Sequence, residues 1–343
     1  MSARPHVAFI AWTPHAGRAG DVARALGGEK RAYHALGIAT RRAVPLRYAI
    51  DAVRTAAYLM RHRPRAVIVT NPPVFPALIA LCYARPARAP LVLDSHISAF
   101  GLAGDHVSRR LLRLHAWLSR RVRATLVTDE ELAAVVRGWG GRAEIVHEPP
   151  PAWQAPPPRP PGPRPRILFL GTFAGDEPLE IVVAAAGAVP TVDVSITGDP
   201  RKRRAAGLAA VPQNVTFPGY LRGDAYRAAM VEADAVLALS TEPNSVMRTA
   251  YEAVYALRPL IVPDRPLTRR LFPHAVHAAI SPDGIAAGFR EAVERHAELR
   301  EAAAEARALQ ERRWLAQLAV LERLVAGDAS TVPTSRSMPL SNA

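Results

Sequence analysis

Cysteine is almost missing from this 343-residue chain, which holds Cys82 and no other. A lone thiol builds no disulfide framework, and that suits a reducing compartment. Cys82 sits in the apolar run Ala77-Leu78-Ile79-Ala80-Leu81-Cys82-Tyr83, where it is expected to be a small buried hydrophobe. No apolar run reaches the roughly 18 residues that span a bilayer. Met1 to Pro5 is polar, and Val7 to Trp12 is too short for a secretory signal. These absences predict a cytoplasmic protein, peripheral at most on the inner face of the cell membrane. The sequence also lacks an Asp-x-Asp pair and any His/Cys cluster at ligand spacing, so it predicts no metal and no cofactor. Aromatics make up 6% of the residues, and no zinc finger or aromatic-rich basic strand accompanies the net charge of +14. A nucleic-acid partner is therefore not expected.

What is present is a chain 49% apolar, enough for two cores. Its charge is uneven. Residues 1–150 hold 22 Lys/Arg against 10 Asp/Glu, a balance of +12, and the remainder holds 22 against 20. The first half alone carries a basic field, as for an anionic partner.

Short apolar runs without alternation recur along the chain: 6–12, 66–70, 90–94 and 124–128, then 166–170, 192–196, 235–239 and 259–262. Helical stretches separate them, at 21–26, 45–61, 74–83 and 107–123 in the first half and at 224–233 and 248–256 in the second, with 284–325 largely helical. Continuous apolar strands between helices indicate parallel sheets covered on both faces. Residues 149–165 contain ten prolines in seventeen positions, a stiff extended segment. The predicted fold class is α/β, two Rossmann-like doubly wound parallel-sheet domains facing a central cleft. The boundaries are 1–150 for an N-terminal, acceptor-side domain, 151–165 for the linker and 166–300 for a nucleotide-sugar-binding domain. A C-terminal helix at 301–327 packs back toward the first domain, and a polar tail follows at 328–343.

Ligands of such sheets bind beyond the carboxyl ends of the strands. The polar residues closing each strand are the candidates: His15 and Gly17, Asn71, Ser95 and His96, Thr128, Gly171 and Thr172, Gly198 and Asp199, Tyr220, and the 240–248 loop.

Four segments in the second half carry a resemblance: Phe217-Pro218-Gly219-Tyr220-Leu221, Asp234 to Ser240, Ala250-Tyr251-Glu252-Ala253 and Arg258-Pro259-Leu260-Ile261-Val262. Together they resemble the donor half of GT-B glycosyltransferases, above all the family 4 type. In the first half, Thr70-Asn71-Pro72-Pro73 and Leu93-Asp94-Ser95-His96 resemble a subgroup with an NPP turn and a D-x-H strand end, similar to the β-mannosyltransferases of lipid-linked oligosaccharide synthesis. The resemblance covers roughly residues 6–320. It implies transfer of a sugar from a nucleotide-diphosphate sugar, the co-substrate, to an acceptor glycan or lipid-linked glycan in cell-surface polysaccharide or glycolipid synthesis. Two departures stand out. The family shows two glutamates eight positions apart; here Glu252 takes the second place, Asn244 the first, and Glu242 lies two positions out of register. The family's Arg and Lys after the first strand of the donor domain give way to Gly171-Thr172-Phe173-Ala174-Gly175-Asp176.

Such a transfer needs a stabilised leaving diphosphate, a held nucleoside and a positioned acceptor hydroxyl. Free amides at a helix start suit the diphosphate. The Asn244–Arg248 loop opens a helix in which Ser245 is expected as cap, with the amides of Ser245, Val246 and Met247 and the charge of Arg248 on the phosphates. Arg201 and Lys202 are further basic candidates. By resemblance Glu252 accepts from the ribose hydroxyls; read without it, Glu252 is an i,i+4 partner of Arg248 on a solvated face. His96 contacts the transferred sugar by resemblance, and Asp94 or His96 can serve as base if transfer inverts. The Gly17 loop offers bare backbone to phosphate or acceptor. Two arginine-rich amphipathic segments, 107–123 and, more mildly, 45–65, suit an anionic membrane surface; the plainer reading packs the apolar stripe on the sheet. The alternative function is a sugar-nucleotide binder or partner subunit of the same fold without transfer activity.

Overall fold

The computed structural model describes residues 6–13, 17–35, 43–102, 107–156, 160, 162–199, 201 and 211–326. His15, Lys202 and the tail at 328–343 lie outside the described residues.

Two separate six-stranded parallel sheets form. The first orders its strands β2-β1-β3-β4-β5-β6, from β1 (Val7–Ala11), β2 (Glu29–Ala32), β3 (Ala66–Asn71), β4 (Leu91–Ser95), β5 (Ala124–Val127) and β6 (Ala143–Ile145). The second orders its strands β12-β11-β10-β7-β8-β9, from β7 (Arg166–Leu170), β8 (Asp193–Thr197), β9 (Val215–Gly219), β10 (Ala235–Leu237), β11 (Leu260–Pro263) and β12 (Val276–Ala278). Every residue of β1 and β3 is buried, because helices cover both faces. On one face of the first sheet lie α2 (Val44–His62), α3 (Phe75–Ala87) and α4 (Arg109–Ser119), whose Leu59, Ala77 and Leu118 share a core with Val67 and Leu93. On the other lies α1 (Gly17–Ala25). In the second domain α6 (Leu179–Gly187) and α10 (Pro282–Glu294) build one core, and α8 (Arg248–Tyr255) belongs to the other. The remaining helices are α5 (Glu130–Gly138), α7 (Gly223–Glu232) and α9 (Pro266–Leu271).

The last helix, α11 (His296–Ala326), joins the two bodies. Its first turn puts Leu299 in a second-domain core, and its end puts Trp314, Leu321, Leu324 and Val325 in the first-domain core beside Val7 and Phe9. Trp153 and Ala155 of the proline-rich segment pack on the second domain.

Four details differ from the sequence reading. Strand β2, Glu29-Lys30-Arg31-Ala32, carries no apolar run, yet it pairs with β1 as an edge strand whose outward side chains stay wet. Helix α1 begins at Gly17 rather than Asp21, so the supposed loop residues Gly17 to Gly20 are its first turn. Cys82 is exposed: α3 needs Ala77, Ala80, Leu81 and Ala84 for the sheet, and position 82 falls on the far side. Helix α4 is shorter than 107–123, and Leu118 in its stripe is fully buried while Leu111 is exposed.

In each sheet the chain leaves the first strand in one direction and later returns to its other side. That switch point lies between β1 and β3 and between β7 and β10. Doubly wound sheets hold their ligands beyond the strand ends at such a point. Asn71 ends β3, and Gly17, Gly171 and Ser240 follow the other three strands.

Candidate active site

Arg18, in the first turn of α1, is the hub on the first-domain side. It is 6% exposed, and its fork is fully used. Nε and Nη2 donate to Asp94 at 3.2 Å, Nη2 also to the Val146 carbonyl at 2.9 Å, and Nη1 to the His147 carbonyl at 2.8 Å and to Glu148 Oε1 at 3.2 Å. Burial opposes its charge, but Asp94 and Glu148 outweigh that and raise its pKa.

Glu148 continues the network across the gap. Its Oε2 lies 3.5 Å from Nη1 of Arg248, at the start of α8 in the second domain. Arg248 also pairs through Nη2 with Asp21 of α1 and through Nε with Glu252 Oε1 at 2.8 Å. The Tyr226 hydroxyl of α7 donates to the other oxygen of Glu252. Glu252 is thus an i,i+4 partner of Arg248, but a buried one, 6% exposed, and not on a solvated face. A Cβ on Gly17 would stand 2.9 Å from Nη1 of Arg248, so the missing side chain makes room for the guanidinium. Asp94, Arg18, Glu148, Arg248 and Glu252 form one ionic chain between the domains.

His96 follows β4 at the edge of this chain, partly exposed, with Nε2 3.8 Å from Asp94 Oδ2. Behind it, Asn71 donates to Ser95 Oγ at 3.3 Å, and Ser95 lies 3.0 Å from His115 Nε2. The Ala99 carbonyl, 3.2 Å from His115 Nδ1, can only accept, so Nδ1 carries the proton and Nε2 accepts from Ser95. The NPP and D-x-H elements thus meet in a buried relay that fixes the end of β4.

Other expected residues lie elsewhere or behave otherwise. The Gly198 backbone faces the Phe173 ring, which a Cβ would meet at 2.4 Å, so what this glycine accommodates is packing. Thr172 donates from its amide to Glu177 at 2.7 Å and from its hydroxyl at 3.2 Å, and a Cβ on Gly171 would stand 2.8 Å from the same carboxylate. Asp199 binds Arg201 in a local exposed pair. Tyr220 is 40% exposed under the guanidinium of Arg222. Ser245 is not the cap of α8: the helix begins at Arg248 with Met247 at the cap position, no side chain capping it. The Ser245 amide donates to the Glu242 carbonyl, and Val246 and Met247 pack on the second-domain core. Asn244 donates to Glu131 of α5 at 2.6 Å, a second link between the domains.

Sequence reasoning missed Arg18, Asp21, Glu148 and Tyr226. Glu148 follows the last strand of the first half, where the strand-end rule would have found it. Arg18 and Asp21 became visible once α1 began at Gly17. Thr249 was missed too; its hydroxyl is buried, with no partner among the described residues.

Buried His115 and half-buried His147 border the site, and desolvation pushes each down to about 4. The unfolded chain binds their protons near pH 6.5, whereas the folded one does not until about pH 4. Stability is therefore full above about pH 6.5 and falls as pH drops toward 4, by up to about 3 kcal/mol for His115. Urea unfolding at about pH 7 and about pH 4.5 should show this loss, and His115→Asn should shrink it. An unchanged pH difference in that variant would refute the assignment.

The two facing doubly wound domains define the GT-B fold. Solved structures of that fold match nearly the whole chain. A sucrose-phosphate synthase from Thermosynechococcus elongatus superposes with a TM-score of 0.73 at 15% identity, over 93% of this chain and 97% of its own. HepE of Anabaena, in complex with UDP and glucose, gives a TM-score of 0.67 at 14% identity, over 96% and 100%. A glycosyltransferase from Rickettsia africae gives 0.66 at 11%, over 95% and 100%. No family model matches the sequence, and no curated protein matches it.

Proposed function

We propose that the protein is a glycosyltransferase moving a sugar from a nucleoside-diphosphate sugar to an acceptor hydroxyl, without a metal. The observation that carries this reading is the Arg248–Glu252 pair of the second domain meeting α1 and Glu148 of the first across the gap. Arg248 is the cation for the leaving diphosphate, assisted by the Thr249 hydroxyl, and a diphosphate takes it over from Asp21 and Glu148. Glu252 keeps acceptor capacity beyond its bonds to Arg248 and Tyr226, enough for two ribose hydroxyls. His96 faces the acceptor and takes its proton. Asp94, engaged on both oxygens by Arg18, orients His96 and is not itself the base. The family 4 resemblance supports a role in surface polysaccharide or glycolipid synthesis.

HepE carries UDP, or UDP-glucose, in its own structures, which makes uridine nucleotides the first probes. In a thermal-shift panel of nucleoside diphosphates and their sugars, one nucleoside diphosphate is expected to stabilise the protein. Glu252→Ala should weaken it by about 2 kcal/mol, roughly thirtyfold. A panel in which no member raises the melting temperature would defeat the proposal. A second reading, sugar-nucleotide binding without transfer, is favoured by Asn244 standing where the family has glutamate and by the carboxylates already on Arg248. Stabilisation with no sugar transfer to any acceptor, and no release of free sugar, would select it.

A further inference from the structure

Helix α2 turns one face away from its own domain. Leu46, Val53 and Met60 are 57%, 69% and 65% exposed, among the most exposed large apolar side chains described. Seven-residue steps advance a helix by nearly two full turns, so the three lie in one line along α2. Exposed Ala49 and Ala57 fill the intervals. Arg54 and Arg61, also exposed, each sit one position beyond an apolar member and flank the line. Helix α3 packs beside α2 and continues the surface with Phe75, 36% exposed, and with exposed Cys82. Between residues 44 and 88 there are seven arginines and a single acid, Asp51, which is fully buried.

We infer that the α2–α3 face docks on an anionic phospholipid bilayer. An apolar stripe bordered by arginines is the arrangement by which a helix lies in a membrane interface, with its hydrocarbon among the acyl chains and its guanidiniums at the phosphates. The occupant follows from the charge. A second copy of the chain would set arginine against arginine across the contact. A nucleic acid would leave the central Leu46–Val53–Met60 line without an apolar partner. The face chosen is not the one of highest arginine density: α4 spends Leu118 of its stripe on the domain core. Sequence placed α4 first; burial selects α2.

The position of the face suits the site. Helix α2 precedes β3 and α3 follows it, so both helices begin at the edge of the sheet where the strands end. At that edge the Trp12, Tyr48 and Phe75 rings run in sequence, 5.5 and 5.4 Å apart, from the end of β1 to the exposed stripe. Docking stands without the transfer chemistry. Presentation of a lipid-linked acceptor hydroxyl from the bilayer rests on the glycosyltransferase reading above.

The full chain should cosediment with mixed phosphatidylcholine–phosphatidylglycerol vesicles and stay in the supernatant with phosphatidylcholine alone. Arg54→Glu with Arg61→Glu should lower the vesicle partition coefficient at least about tenfold. Val53→Glu with Met60→Glu should do so by a similar factor, about tenfold, at unchanged circular dichroism. Cys82, the chain's one cysteine and an exposed one, takes an environment-sensitive dye whose emission should move to the blue on adding the mixed vesicles. The inference is overturned if the wild type ignores anionic vesicles. It is equally overturned if the Val53/Met60 variant binds them as well as wild type, or if the dye does not respond while the protein sediments. Concentration-dependent dimerisation abolished by that variant, without vesicle binding, would assign the face to a second copy instead. The nucleoside-diphosphate panel is a separate measurement, so the two readings fail independently.

Discussion

Arg18→Met is expected to destabilise the protein by about 3–5 kcal/mol, the largest stability loss of any single substitution at this site. The side chain is nearly inaccessible, and it compensates two carboxylates, Asp94 and Glu148, and two carbonyls, Val146 and His147. Methionine restores much of the volume and none of the charge, so Asp94 is left buried with only His96, 3.8 Å away, beside it. Adding Asp94→Leu should recover part of the loss, because an apolar pair of similar size costs less than one stranded ion. Urea unfolding followed by tryptophan fluorescence measures both variants. A loss below about 1 kcal/mol for the single variant would mean that water reaches Asp94 and that the ion pair is not buried in solution.

Arg248→Met should act on function more than on stability. Its side chain is 31% exposed, so water can take its place beside Asp21, Glu148 and Glu252 when it is removed. Arg248, however, is the guanidinium that pairs with Glu252 and fills the space over Gly17, and in the transfer reading it is the one aimed at the diphosphate. Loss of a group aimed at developing charge lowers kcat/KM by about 10²–10³. Arg248→Lys should restore a part and not the whole, since a point charge replaces a planar fork that serves several anions at once. The measurement is transfer kinetics beside nucleoside-diphosphate affinity. Equal turnover for Arg248→Met and wild type would remove Arg248 from the site and, with it, the leading argument for transfer. Arg18 and Arg248 thus separate by burial: the enclosed guanidinium holds the fold, and the half-open one is available to a ligand.

How far the sequence led can be judged residue by residue. Apolar runs at β1, β3, β4, β7 and β10 announced buried parallel strands, because a run without alternation needs cover on both faces. Edge strand β2 was invisible, since half of its surface is wet and its pairing comes from backbone alone. Glu252 and Arg248 were singled out from one segment four residues apart. Their partners Asp21 and Glu148 lie 227 and 100 residues from Arg248, and no local pattern reports such distances. Ser245 looked like a cap by composition, but the backbone turns between Glu242 and Ser245 and the helix starts only at Arg248. Cys82 looked buried because its run is apolar throughout, and a helix against a sheet buries one side of such a run.

The alternation of buried strands with helices, the proline-rich break at 149–165 and the basic bias of the first half were written in the chain itself, because each depends on neighbours along the backbone. Which carboxylates surround Arg248, which arginine is sealed in and which apolar stripe is left facing outward were decided by the tertiary structure alone. Those outcomes depend on what two separately folded sheets bring within a few ångströms of each other, and on which face of each helix the sheet covers.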